Sequence, residues 1–241
     1  MPLILTLPRA QAPALPESGC WPVQNLDFLQ QAVWQSRASA EHDEAWLQPI
    51  AYLLLMNASG QLWCYQRTGG DARLDRRCSC GVGGHVDWQD AQPPLERHVI
   101  DSCQRISRNG YRPISFINPE PTLQRTLLRE VAEELGASAA DLGQITFHGL
   151  IYEGLSPVGR VHLGVLFAAQ WLPEPPPRPV AGEALLGLGF QPASAIANNT
   201  RFELWSRLAA RHLAHDKPSS TGPAISAQNQ PSPIDGKSPD L

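Results

Sequence analysis

Residues 122–136, TLQRTLLREVAEELG, constrain the chain more than any other stretch. Their apolar positions recur at helical spacing, and Gly136 sits where a glycine ends a helix. An α-helix turns roughly 100° per residue, so Glu133 and Glu134 stand at about -60° and +40° from Glu130, placing three carboxylates on one face. Val131, Leu135 and Leu128 fall at about +100°, +140° and +160° and predict a core side, with Leu127 at about +60° on its boundary. The carboxylates are therefore expected to point away from the core. Two of them about 4 Å apart repel by on the order of 4 kcal/mol at an effective dielectric near 20. The only basic residue at a four-residue spacing is Arg129, four before Glu133, too little to balance three charges. Hard oxygens so poorly compensated suit Mg²⁺ or Mn²⁺. A solvated helix face is the commoner origin of an isolated ExxEE run, and the helix alone favours it.

The flanking segments read as follows. Residues 25–37, NLDFLQQAVWQSR, place Leu26, Leu29 and Val33 at i, i+3 and i+7 and predict a peripheral helix capped by Asn25. PIAYLLLMNASGQLWCYQRT, 49–68, predicts a hairpin turning at Asn-Ala-Ser-Gly. A loop at 69–77 carries Arg73, Arg76 and Arg77, and CSCGVGGHVD reads as a strand whose glycines admit a close backbone approach. Residues 91–120 form an insertion with a short helix at 95–105. After Gly136 come strands at 144–153 and 159–172, a short strand in ALLGLGFQP and an amphipathic helix at 201–212. This divides the chain into an extension at 1–45, a main domain at 46–215 and a tail at 216–241 whose Ser, Pro and Gly content predicts disorder.

With 241 residues, 42% of them hydrophobic, one large domain can bury a sizeable core. The net charge of -4 argues against wrapping a long nucleic acid, while a nucleotide-sized anion still needs only a few local arginines. The N-terminal apolar run is broken by Pro8 and is too short for a signal sequence or membrane span, so the expected location is the cytoplasm. Five scattered cysteines predict reduced thiols. Cys78, Cys80 and His85 lack the second ligand pair of a zinc finger, and alternation places the two cysteines on one buried strand face.

REVAEELGA resembles the second half of the Nudix box, with Arg129, Glu130, Val131, Glu133, Glu134, Gly136 and Ala137 at its fixed positions. GGHVDWQD resembles the first half: Gly84 fits the leading glycine, and Asp90 stands where the family usually has glutamate. The box's seven-residue spacer is replaced here by residues 91–128. QRTGGDARLDRRCSCGVGGHVD and GLIYEGLSPVGRVHLGVLF are similar to a bacterial Nudix subgroup with a GVGGH loop and a VGRVHLG strand, so the likeness runs over about 51–171. The resemblance implies an α/β/α sandwich with a mixed sheet and a metal-dependent hydrolase cleaving a small-molecule diphosphate. It implies metal ligation by Glu130, Glu133, Glu134 and a carbonyl of Gly83 or Gly84, with Glu133 or Glu134 helping to deprotonate water and Arg129 orienting a carboxylate. The cofactor would be Mg²⁺ or Mn²⁺. Arg67 and Arg73 are candidate phosphate contacts, His85 and His162 candidate substrate contacts, and Glu183 either an auxiliary acid or an ordinary loop carboxylate. The alternative is a Nudix-fold module that binds a nucleotide without turning it over. Substrate identity and oligomeric state are not written in the sequence.

Overall fold

The computed structural model describes residues 3–69, 76–94 and 118–215. Within them run β1 (Leu3–Pro8), β2 (Ser18–Trp21), β3 (Val33–Ser36), α1 (Arg37–Ala40), β4 (Trp46–Met56), β5 (Leu62–Arg67), β6 (Cys78–Ser79), β7 (Gly81–His85), α2 (Pro119–Leu135), β8 (Thr146–Glu153), α3 (Pro157–Arg160), β9 (His162–Gln170), β10 (Leu185–Gln191), α4 (Ala193–Ala197) and α5 (Leu204–His215). Arg73, the expected helix at 95–105 and the tail at 216–241 lie outside the described residues.

β4 organises a mixed sheet. It pairs in parallel with β9, from Gln48 opposite His162 to Met56 opposite Gln170. It is antiparallel to β7, from Ile50 opposite His85 to Leu54 opposite Gly81, and meets β5 at Met56 and Leu62. The main strand order is β10-β5-β4-β9-β8-β2. The expected hairpin joins β4 to β5, and its turn is set by Asn57, whose side chain accepts from the Ser59 and Gln61 amides.

Because side chains alternate along a strand, β4 serves two cores. Leu47, Ala51, Leu53 and Leu55 belong to the cluster containing Leu123, Leu127 and Val131 of α2. Tyr52 and Leu54 belong to the cluster containing Ile196 of α4 and Ala209 and Ala210 of α5. The sheet is thus covered on both faces, an α/β/α sandwich. Cys64, Cys78 and Cys80 are free thiols buried in the second cluster. Among the described residues no helix is long and apolar enough to cross a membrane.

The N-terminal segment departs from expectation. In place of one helix over 25–37, a 3-10 turn at Asp27–Gln31 leads into β3, which pairs antiparallel with β1 from Leu3 opposite Ser36 to Thr6 opposite Val33. Leu26, Leu29 and Val33 are buried, so the apolar spacing marked a packed segment. Its conformation is decided by the partner strand and by Val33 and Trp34, which suit a pleated surface. β1 then fills the α2-facing core with Leu3, Leu5 and Leu7.

Candidate active site

Helix α2 carries the candidate carboxylates. Pro119 opens it, and Gly136 closes it in the left-handed region (φ 61°) with its amide donating to the Ala132 carbonyl. Its buried stripe is Leu123, Leu127, Val131 and Leu135, while Leu128 is only half-buried. The core side is therefore centred nearer Leu127 than the wheel over 127–135 alone predicts. Leu123 stands at about +20°, so Glu134 at about +40° lies between two core leucines. The expectation of an outward stripe fails for this residue. Glu133 is exposed, the Glu130 side chain is only 14% exposed, and a carboxylate oxygen of Glu134, Oε2, is fully buried.

Strand β7 brings backbone against this helix. A Cβ on Gly84 would lie 2.3 Å from Glu130 Oε1 and 2.7 Å from its Cδ, so glycine is what admits the carboxylate. Gly84 lies opposite Ala51, on the α2 face of β4.

Arg129 holds the arrangement together. Its Nε and Nη2 donate to Asp90, Nη2 also to the His85 carbonyl (3.0 Å), and Nη1 to Glu130 (2.8 Å) and Glu133 (3.1 Å). Asp90 is 2% exposed and also accepts from Thr126 Oγ1 and the Asp87 amide. With its lone pairs so engaged, Asp90 anchors Arg129. The long insertion does not disturb this contact, because its ends meet: the Asn118 amide donates to the Gln92 carbonyl (2.8 Å), and the Gln92 amide to Thr126's neighbour one turn earlier, Thr122 Oγ1 (3.0 Å).

The electrostatics single out Glu134. Burial, reinforced by Glu130 and opposed by Arg67, pushes its carboxyl up from 4.5 to about 8. Burial also raises Glu130, against the pull of Arg129. Glu134 Oε2 and Arg67 Nε are both buried without a hydrogen-bond partner among the described residues. Arg67 stacks on the Tyr65 ring (5.6 Å) and donates to its hydroxyl (3.3 Å). The structure thus brings Arg67 into the field of Glu134, and the Glu183 charge reaches it too. Hard oxygen donors with an unpaired buried carboxylate oxygen fit a divalent cation such as Mg²⁺ or Mn²⁺.

His85 and His162 come together elsewhere. His85 follows Gly84, so its ring turns to the opposite sheet face, where its Nε2 lies 2.9 Å from Gln48 Oε1 and 3.2 Å from His162 Nε2. Burial, with Arg37, His162 and Arg129 nearby, holds the His85 imidazole down at about 3, hence neutral at ordinary pH. Glu41, just beyond α1, completes a group whose ligand atoms all lie within 4.8 Å of one another. Sequence reasoning missed Glu41 and Gln48: neither sits in a motif, and they come near through the pairing of Gln48 with His162 and the Gln48 bond to the Ala40 carbonyl.

No family model matches the chain. Protein YmaB of Bacillus subtilis (strain 168) is 29% identical over 139 residues, 57% of this chain and 55% of that protein, so the match spans about half the relative's length. The solved structure of Tm1382, a protein provisionally assigned as a Nudix hydrolase, superposes with a TM-score of 0.61 at 24% identity, over 88% of this chain and 98% of that one. The mixed sheet between two helical layers is a Nudix-type fold.

Proposed function

We propose that this protein is a metal-dependent Nudix-type hydrolase cleaving a diphosphate linkage in a nucleotide or related small molecule. The observation that carries the reading is Glu134: a carboxylate with a buried, unpartnered oxygen, beside Glu130 and against the glycine strand β7. Glu130, Glu133, Glu134 and the Gly84 carbonyl would hold Mg²⁺ or Mn²⁺. Such an ion supplies Lewis-acid polarisation of phosphoryl oxygens and orients the attacking water. The provisional assignment of Tm1382 as a Nudix hydrolase agrees with this reading.

The chain's own groups supply the rest. Arg129, fixed by Asp90, holds Glu130 and Glu133 in one orientation, so the donor set is pre-arranged. Glu134, raised to about 8 in the absence of a cation, holds a proton near neutral pH; a bound cation would displace that proton and leave a carboxylate able to accept one from the attacking water. Arg67, with its Nε buried, would present a guanidinium to a phosphate oxygen, and Arg73 is carried as a second candidate phosphate contact from the sequence. The substrate is a small molecule met in the cytoplasm, with no long nucleic acid or membrane involved.

The test is incubation of the purified protein with a panel of diphosphate compounds and Mg²⁺ or Mn²⁺, following phosphate-containing products. Metal-dependent hydrolysis of at least one compound is expected. Binding without turnover of any of them would replace the enzyme with a nucleotide-binding module on the same fold.

A further inference from the structure

On the sheet face opposite the glutamates, Glu41, His85 and His162 gather their ligand atoms within 4.8 Å of one another. The details are those of a metal site. His162 Nδ1 lies 2.7 Å from the Val158 carbonyl, and a carbonyl only accepts, so Nδ1 carries the proton and the Nε2 lone pair points towards His85. Orienting one ring nitrogen through a backbone carbonyl is the usual outer-shell arrangement of a ligating histidine. The two Nε2 atoms stand 3.2 Å apart. Nitrogens each about 2.05 Å from a tetrahedral ion stand about 3.3 Å apart, so the imidazoles already span one edge of such a site.

Gln48 supplies the next element. Fully buried, it donates from Nε2 to the Ala40 carbonyl (3.3 Å), which turns Oε1 towards His85 Nε2 (2.9 Å). Without a cation, a single His85 Nε2 proton is shared between Gln48 Oε1 and His162 Nε2. A cation takes the place of that proton, which moves to His85 Nδ1, so both histidines bind as neutral imidazoles. Glu41 supplies the anionic oxygen. Its ion pair with Arg37 is long (3.7 Å) and solvent-accessible, so it holds the carboxylate weakly. Arg37 opposes a cation, but its side chain is 53% exposed and its charge is screened by water.

We infer that Glu41, His85 and His162 form a second metal site, of mixed nitrogen and oxygen donors, that takes a Zn²⁺-class transition ion and is chemically distinct from the all-oxygen glutamate cluster. Imidazole selects Zn²⁺ and its neighbours over Mg²⁺. Bound there, the ion ties the segment after α1 to the ends of β7 and β9.

Co²⁺ is the probe. The full chain, stripped with a chelator, is titrated with Co²⁺ in millimolar Mg²⁺, which occupies the oxygen cluster and does not compete for imidazole. The expected result is one equivalent with the intense visible absorption of a tetrahedral nitrogen-containing site, abolished by equimolar Zn²⁺. His162→Ala should weaken Co²⁺ binding by more than about 100-fold, since losing even an outer-shell partner costs about 10–100-fold. Glu41→Gln, a change at a partly exposed position that preserves shape, should also lose affinity while circular dichroism shows a folded chain. Absence of the tetrahedral spectrum in the parent protein, or a spectrum and affinity unchanged in both variants, overturns the site.

Discussion

Two consecutive residues of β7 face opposite worlds. Gly84 turns towards α2 and presses backbone against Glu130, while His85 turns to the other face and meets Gln48 and His162. On the first face the donors are carboxylates, crowded and short of positive charge, the setting for a hard ion and phosphate. On the second they are two imidazoles with one carboxylate, the setting for a softer ion. Pleat alternation alone accounts for the separation, so adjacency in sequence is a poor guide to membership of one site. Arg129 links the two faces by its bond to the His85 carbonyl and by its charge, which also acts on the His85 imidazole.

The comparison breaks most visibly at Glu134. Glu134→Gln should lower diphosphate turnover by about 10²–10⁴-fold, the range for a lost proton acceptor, and leave the Co²⁺ spectrum of the histidine face as it was. Near-normal rates in steady-state assays would remove Glu134 from the chemistry. A smaller effect is expected at Gly84. Gly84→Ala drives a methyl into the Glu130 carboxylate, which Arg129 prevents from swinging freely, and overpacking of this kind costs about 1–3 kcal/mol. Urea denaturation reads it directly, and an unchanged midpoint would mean that helix and strand are not in close contact.

The finest test is pH. The Glu134 value in the fold, about 8, lies above the ordinary 4.5, so the native state binds this proton more tightly than the unfolded chain does. Its contribution to stability is complete below about 4.5, declines as pH rises and is gone above about 8. For metal-free protein the loss should be on the order of a few kcal/mol across that window, and Glu134→Gln should flatten it. His85 is shifted the other way, to about 3 from the ordinary 6.5, so it adds a slope of opposite sign below about 6.5, and the Glu134 contribution is read from the difference between parent and variant. Denaturation midpoints taken from pH 5 to 8 decide the matter: identical slopes in the parent and the variant would refute the buried-carboxyl account.

Much of this was legible. Gly136 ended the helix, the Asn57 turn made the hairpin, and the strands β8 and β9 appeared in order. What escaped was where a helical angle meets a core of unknown width. Reading the stripe from Val131 and Leu135 put the boundary at Leu127, and only the burial of Leu123 shows that Glu134 falls inside it. The N-terminal helix was misread because i, i+3, i+7 spacing also fits a turn followed by a strand, and β1 decided between them from about thirty residues away. Glu41 carried no local signal at all, since its nearness to His85 and His162 depends on the pairing of β4 with both β7 and β9 and on the Gln48 bond to the Ala40 carbonyl.

The clasp between Gln92 and Asn118 uncouples the site from the chain that joins them. Because the chain leaves and re-enters at one point, the length of what lies between does not alter the separation of Asp90 from Arg129. Loop entropy grows only logarithmically with length, so even large changes there weigh little on stability. Shortening the chain between residues 94 and 118 is therefore expected to leave the Asp90–Arg129 contact in place.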